Sequence, residues 1–467
     1  MGMVEQLERR LDSFNAVERN EVLKELWGKV QKGEIKFAAE TNFVNLHCHT
    51  FFSYNTYGYS PSKFAWLAKK SGLTVAGVVD FDVLDGIDEF LAAAKLLGLK
   101  GCAGMESRVF VPEFATRVIN SPGEPGIAYH MGVGFPKGTL SSSLKKFQMK
   151  LFNTAQQRNR ELIGRVNTYL SPVEIDYEKD VLPLTPAGNA TERHICLAYA
   201  RKAQQIFSHQ PSAVSHQREE KTMATVAALP SGHATQLVKF WSEKLGMDAA
   251  TLDLPEGAQI LNAIRAKTMK RGGVGYAQPD GGSFPTMADM NKFILEAGGI
   301  PALTWLDGTS DGETALEELA DVAMSTGAAT LNIIPDRNYT PGVKDVKLAN
   351  LYAVVELAGR RHLPVVVGTE MNSPGNKFVD SFDTAELKPL VPIFLKGAHI
   401  VYAHSVLQQK AGIGYTSDWA KRNFADVANK NAFFEEVGKI LQPAKENSLD
   451  GLTNDVEPQV LLSRIKS

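Results

Sequence analysis

Apolar and polar positions follow two rhythms along this chain. Over residues 4–36 apolar side chains recur at helical spacing, as in Leu7, Leu11, Phe14, Val22, Leu23, Leu26 and Val30, which predicts a helical lead-in. From residue 41 short apolar runs trade places with amphipathic ones: NFVNLHCHT, SPSKFAWLAKKSG, TVAGVVDFD, DGIDEFLAAAKLLG, LKGCAGMESRVF. Strand, helix, strand, helix, strand predicts a parallel α/β architecture. The ends of SPSKFAWLAKKSG are also marked, with Ser60 able to cap, Pro61 at the first helical position and Gly72 after the last turn. The rhythm resumes in TMADMNKFILEAGG, IPALTWLDG, ALEELADVAMSTG, AATLNIIPD, ANLYAVVELAGRRHL and PVVVGTEMN. Between the two blocks, LKKFQMKLFNTAQQRNRELIGRVNTYL and HICLAYARKAQQIF read as helices, so a helical insertion separates two sets of barrel strands. The Gly- and Pro-rich GGVGYAQPDGGSFP returns the chain to the barrel. The expected parts are a lead-in (1–40), a first barrel part (41–135), the insertion (136–284), a second barrel part (285–415) and a helical tail (416–467). KGAHIVYAHS reads as a further strand.

Composition narrows the class. With 467 residues, 44% of them hydrophobic, the chain can bury a large core and more than one structural unit. Its 50 basic and 52 acidic residues nearly cancel, with no long basic run, which argues against a nucleic-acid partner and a polymerase accessory role. Polar residues interrupt every apolar stretch, so no membrane span is expected. The first ten residues lack the apolar core of a signal peptide, which makes the cytoplasm the expected location. Cys48, Cys102 and Cys196 are an odd number at wide spacing, against a disulfide framework or a Cys-based zinc knuckle. A metal would have to use His and carboxylates.

Several apolar runs end in ionisable residues. Residues i and i+2 of a strand share a face, so His47 and His49 can present two imidazoles to one point while Cys48 points away. Asp80 and Asp82 close the second run, Glu106 and Arg108 the third, and Glu370 with Asn372 a late one; His130 lies within GIAYHMGVGF. In a parallel barrel such ends converge on one face. Asp82 reads as a cap for the helix beginning near Asp85, and Asp80 as either cap or site residue. Arg108 reads equally as a partner of Glu106 or as a substrate-binding cation. His399 and His404 read first as ordinary surface or core histidines, with His404 the better functional candidate and counted among the potential metal ligands. His209, His216 and His233 lie in polar surroundings and are expected at the surface.

The stretch NLHCHTFFSYNTYGYSPSKFAWLAKKSGLTVAGVVDFDVLDGIDEF resembles the opening of the polymerase and histidinol phosphatase (PHP) family. The resemblance covers about residues 41–135 and 285–375. It implies a distorted seven-stranded (β/α) TIM-like barrel and phosphoester hydrolysis at a cluster of up to three metal ions. Carried over by motif, His47 and His49 resemble the first metal ligands, Glu106 a bridging carboxylate, and His130 a later ligand; Glu370 stands where the family has the Asp of a late Asp-x-His. The insertion resembles one that caps the site in some members, with Arg193 and His194 in ERHICLAYA. The chain departs from the pattern at Phe81, where an imidazole is usual, at the stretch Ser53-Tyr54-Asn55, and at Trp305 and Asn372.

The expected function is therefore metal-dependent hydrolysis of a small phosphorylated metabolite or nucleotide through activated water. One or two ions of zinc, manganese or iron would serve. Asp80 or His130 would handle the water proton, and Arg108, Arg193, His194 and Lys377 would meet the substrate. The alternative is a degenerate barrel that binds metal or ligand with little or no turnover.

Overall fold

The computed structural model describes residues 2–208, 231–279, 281–339 and 342–466. Seven strands run in chain order around one sheet: β1 (Val44–Cys48), β2 (Val75–Phe81), β3 (Lys100–Phe110), β4 (Ile127–Val133), β5 (Ile300–Trp305), β6 (Thr330–Ile333) and β7 (Val365–Val367). The sheet closes on itself just past β7. There Glu370 N donates to His47 O at 2.7 Å and His49 N donates to Glu370 O at 2.8 Å. The fold is α/β, a seven-stranded barrel.

Neighbouring strands are parallel except β4, which runs antiparallel to both β3 and β5. An all-parallel barrel is thus corrected at one strand. The cause lies in the connection: among the described residues 111–126, only a short 3-10 turn at Pro112–Phe114 separates β3 from β4. A parallel return needs a longer crossover, usually a helix.

Local sequence accounts for much of the outer layer. Ser60 accepts from Lys63 N and caps the helix Pro61–Lys70, while Gly72 turns the chain back at φ 79°. The lead-in forms two helices, Met3–Arg10 and Ala16–Gln31. KGAHIVYAHS, read above as a strand, lies inside a helix, Val391–Ala411. Most of that helix is buried, so it is apolar nearly all round and lacks the one-sided pattern that separates helix from strand. Gly397 allows the contact: a Cβ there would lie 1.9 Å from Val365 O of β7. The stretch Lys388–Ala411 is long and apolar enough to cross a membrane, but 72% of its most apolar 18-residue window is buried within the protein, as in a core helix.

The chain divides into two compact units, one formed by Met1–Leu151 with Pro279–Ser467 and the other by Phe152–Gln278. The first holds the barrel and a core that includes Trp66, Phe64, Phe90 and Trp305. The second is helical, with its own core around Val166, Ile195, Tyr199, Trp241 and Ile260. His209 and His216 lie outside the described residues, as does the side chain of His233.

Candidate metal centre

At the C-terminal end of β1, His47 and His49 face the same point as Glu106 from β3. His49 Nε2 lies 3.0 Å, and His47 Nε2 3.4 Å, from Glu106 Oε2. Among the described residues these three form the one His/Cys/Asp/Glu group whose ligand atoms all lie within 4.8 Å of each other. Both histidines are 0% exposed and Glu106 is 2% exposed, yet these three atoms make no well-directed hydrogen bond. Two imidazole nitrogens and a carboxylate oxygen, buried and turned toward one another, are suited to a shared cation. Burial pushes the Glu106 carboxyl up, but the two imidazoles beside it outweigh that and bring it to about 2, so it is charged.

The loop after β1 decides how His49 presents itself. Asp80 accepts from Thr50 N at 2.9 Å, Thr50 Oγ1 at 2.7 Å and Ser53 Oγ at 2.6 Å. The single Ser53 proton goes to that carboxylate. Ser53 Oγ must then accept from His49 Nδ1, 3.0 Å away, so that in the neutral ring the Nε2 lone pair is the one turned toward Glu106. Asp80 thus acts through Ser53 on His49, the geometry of a positioning residue. Asp82 does not cap the helix Ile87–Leu97, whose N-cap is Gly86; it accepts from Ser107 Oγ.

Register explains which other residues reach the site. Glu106 pairs with Phe81 of β2 and Met131 of β4, so those three share the barrel's inner face. Phe81 stacks on His49, ring centroids 4.4 Å apart, and fills the space beside that ring. His130, adjacent to Met131, turns outward and meets Asn291 at 2.5 Å; the structure separates it from the cluster. Burial brings it to about 4, so it is neutral. Tyr129, one residue further, is the inward-facing side chain and lies near Phe81.

The remaining candidates are scattered. Arg108 pairs with Glu124 at 3.1 Å, in place of the Glu106 pairing read from the sequence, and lies over Phe284. Glu370 follows β7 beside His47 and His49, but both its oxygens face Arg337 Nη2, at 3.0 and 3.2 Å. Lys377 donates to Asp336 and Ser381. His404 has no lone pair to give a metal: Nε2 meets Gly298 O at 2.9 Å, and Nδ1 accepts from Tyr415 N at 2.8 Å. His399 is buried on the same helix and held near 4, chiefly by burial. Arg193 and His194 belong to the second unit, where Arg193 donates to Asn262 and His194 Nδ1 accepts from Thr191 N.

Sequence reading missed two inward residues, Thr304 and Asn332, and the arginine that meets Glu370, Arg337. Thr304 and Asn332 are paired across β5 and β6 on the inner face, both 0% exposed, with Thr304 Oγ1 and both Asn332 amide atoms lacking hydrogen-bond partners. Trp305, the position compared with a family imidazole, is the outward neighbour of Thr304. Asn332 carried a signal, a polar amide inside the apolar run AATLNIIPD. Arg337 carried none, because its turn (Pro335–Tyr339) meets Glu370 only through the closed barrel.

No protein-family model and no curated protein matches the chain. It is similar to a solved amidohydrolase from Chromobacterium violaceum, determined with bound sulfate and no metal, at 14% identity and TM-score 0.45 over 71% of this chain and 88% of that one. It is also similar to a candidate metal-dependent phosphoesterase from Bifidobacterium adolescentis, at 16% identity and TM-score 0.44 over 77% and 98%. At these values the likenesses carry no argument about activity, which rests on the residues above.

Proposed function

We propose that this chain is a metal-dependent hydrolase of the PHP kind that cleaves the phosphoester of a small phosphorylated metabolite or nucleotide. The observation that carries the reading is the convergence of His47 Nε2, His49 Nε2 and Glu106 Oε2, buried without hydrogen-bond partners at barrel strand ends. Two imidazoles and a carboxylate suit zinc, manganese and iron. Bound there, a divalent cation supplies Lewis acidity toward a phosphoryl oxygen and makes water nucleophilic at neutral pH. The chain supplies the rest. Ser53 and Asp80 keep the His49 proton on Nδ1. Arg108, two residues past Glu106 on the inner face and braced by Glu124, offers a cation to the phosphate. Thr304 and Asn332 offer a hydroxyl and an amide to neutral polar atoms of the substrate.

A second reading, a barrel that binds metal with little or no turnover, is favoured by Phe81 stacked on His49 and by Glu370 engaged with Arg337. The test reloads metal-stripped protein with zinc, manganese or iron and offers phosphomonoesters and phosphodiesters to wild type and His49→Ala. Hydrolysis by wild type that disappears in His49→Ala supports the enzyme. Metal uptake without hydrolysis selects the second reading. Hydrolysis equal in both proteins defeats the site.

A further inference from the structure

Resting on the metal-centre reading, we infer that Arg337 holds Glu370 outside the metal's coordination, so that the site takes a single divalent ion. Glu370 is well placed to be a ligand. Its backbone bonds to both His47 and His49, and it is 7% exposed. Its φ of 61° and the 54° of Met371 are left-handed, uncommon for residues with a Cβ, so this turn is set by its surroundings. Yet its carboxylate is absent from the converging group of described ligand atoms, and both oxygens lie at 3.0 and 3.2 Å from Arg337 Nη2.

Two consequences follow from charge. A guanidinium keeps its proton at any physiological pH, so the pair cannot be released by deprotonating Arg337. A fixed positive charge beside the cluster also opposes a second dication by Coulomb repulsion. Arg337 therefore supplies, as part of the chain, a positive charge against Glu370 beside the cluster. Its role is positioning.

The test is calorimetric titration of the metal-stripped full-length protein with Zn²⁺ and separately with Mn²⁺, with ion content measured after gel filtration. Wild type is expected to bind one ion, Glu370→Gln to bind one ion several-fold more weakly because the Arg337 charge is then unbalanced, and Glu106→Gln to lose it. Arg337 is exposed, so its variants should fold. Arg337→Gln, with Glu370 released, is expected to bind roughly tenfold tighter or to take a second ion. Arg337→Lys, which keeps the pair, should behave as wild type, and the double variant Arg337→Gln/Glu370→Gln should revert to one ion of wild-type affinity. Two ions in wild type, a loss in Glu370→Gln as severe as in Glu106→Gln, or an Arg337→Gln indistinguishable from wild type overturns the inference and leaves the metal centre standing. Absence of any bound ion in wild type fails the metal centre itself.

Discussion

Ser53 decides which ring nitrogen of His49 carries the proton, and so whether a lone pair faces Glu106. Ser53→Ala is expected to weaken metal binding by roughly 10- to 100-fold without unfolding the chain, the usual consequence of losing a partner behind a metal-binding histidine. Calorimetry beside a urea melt checks this; unchanged affinity contradicts the tautomer argument. A second residue sets a pH dependence. Asp380 is buried; burial, and then the charge of Asp336, push its carboxyl up to about 8 from an ordinary 3.8. The folded chain then keeps a proton that the unfolded chain releases, so stability falls as pH rises across that window and levels off above it. Between pH of about 5 and about 8, wild type should lose urea resistance relative to Asp380→Asn; parallel profiles count against a protonated Asp380. At this scale the sequence revealed His47, His49 and Glu106, because alternation on a strand needs no tertiary knowledge. It misled at His130, since a one-residue shift in pairing register reverses the face and register is not written locally.

Between elements, the critical contact is the closure of β7 against β1. A Cβ on Gly368 would lie 2.4 Å from His47 N and 2.6 Å from His47 Cβ, so only glycine lets the strands approach there. Gly368→Ala should cost roughly 1–3 kcal/mol of stability by overpacking, and should also weaken metal binding because His47 is displaced. Equilibrium unfolding and metal titration of the same sample test both parts. A full-stability, full-affinity variant contradicts the closure described. The strands and the Pro61–Lys70 helix were legible from period and caps. The reversal of β4 was not, because it depends on what the chain does between strands. The helix Val391–Ala411 was not, because burial on nearly every side erases the period that would have marked it.

For the molecule as a whole, a separate hydrophobic core in residues 152–278 gives that unit the means to fold by itself. Expressed alone, it should show one cooperative urea transition; a featureless melt contradicts its independence. The barrel unit carries the central claim, that His47, His49 and Glu106 form a metal centre. Titrating the metal-stripped full-length protein with a divalent cation, beside His49→Ala and Glu106→Gln, tests it most directly. The expected result is saturable binding by wild type that both substitutions abolish while the urea transition persists. Wild type that binds no ion, or substituted proteins that bind as tightly as wild type, would contradict it.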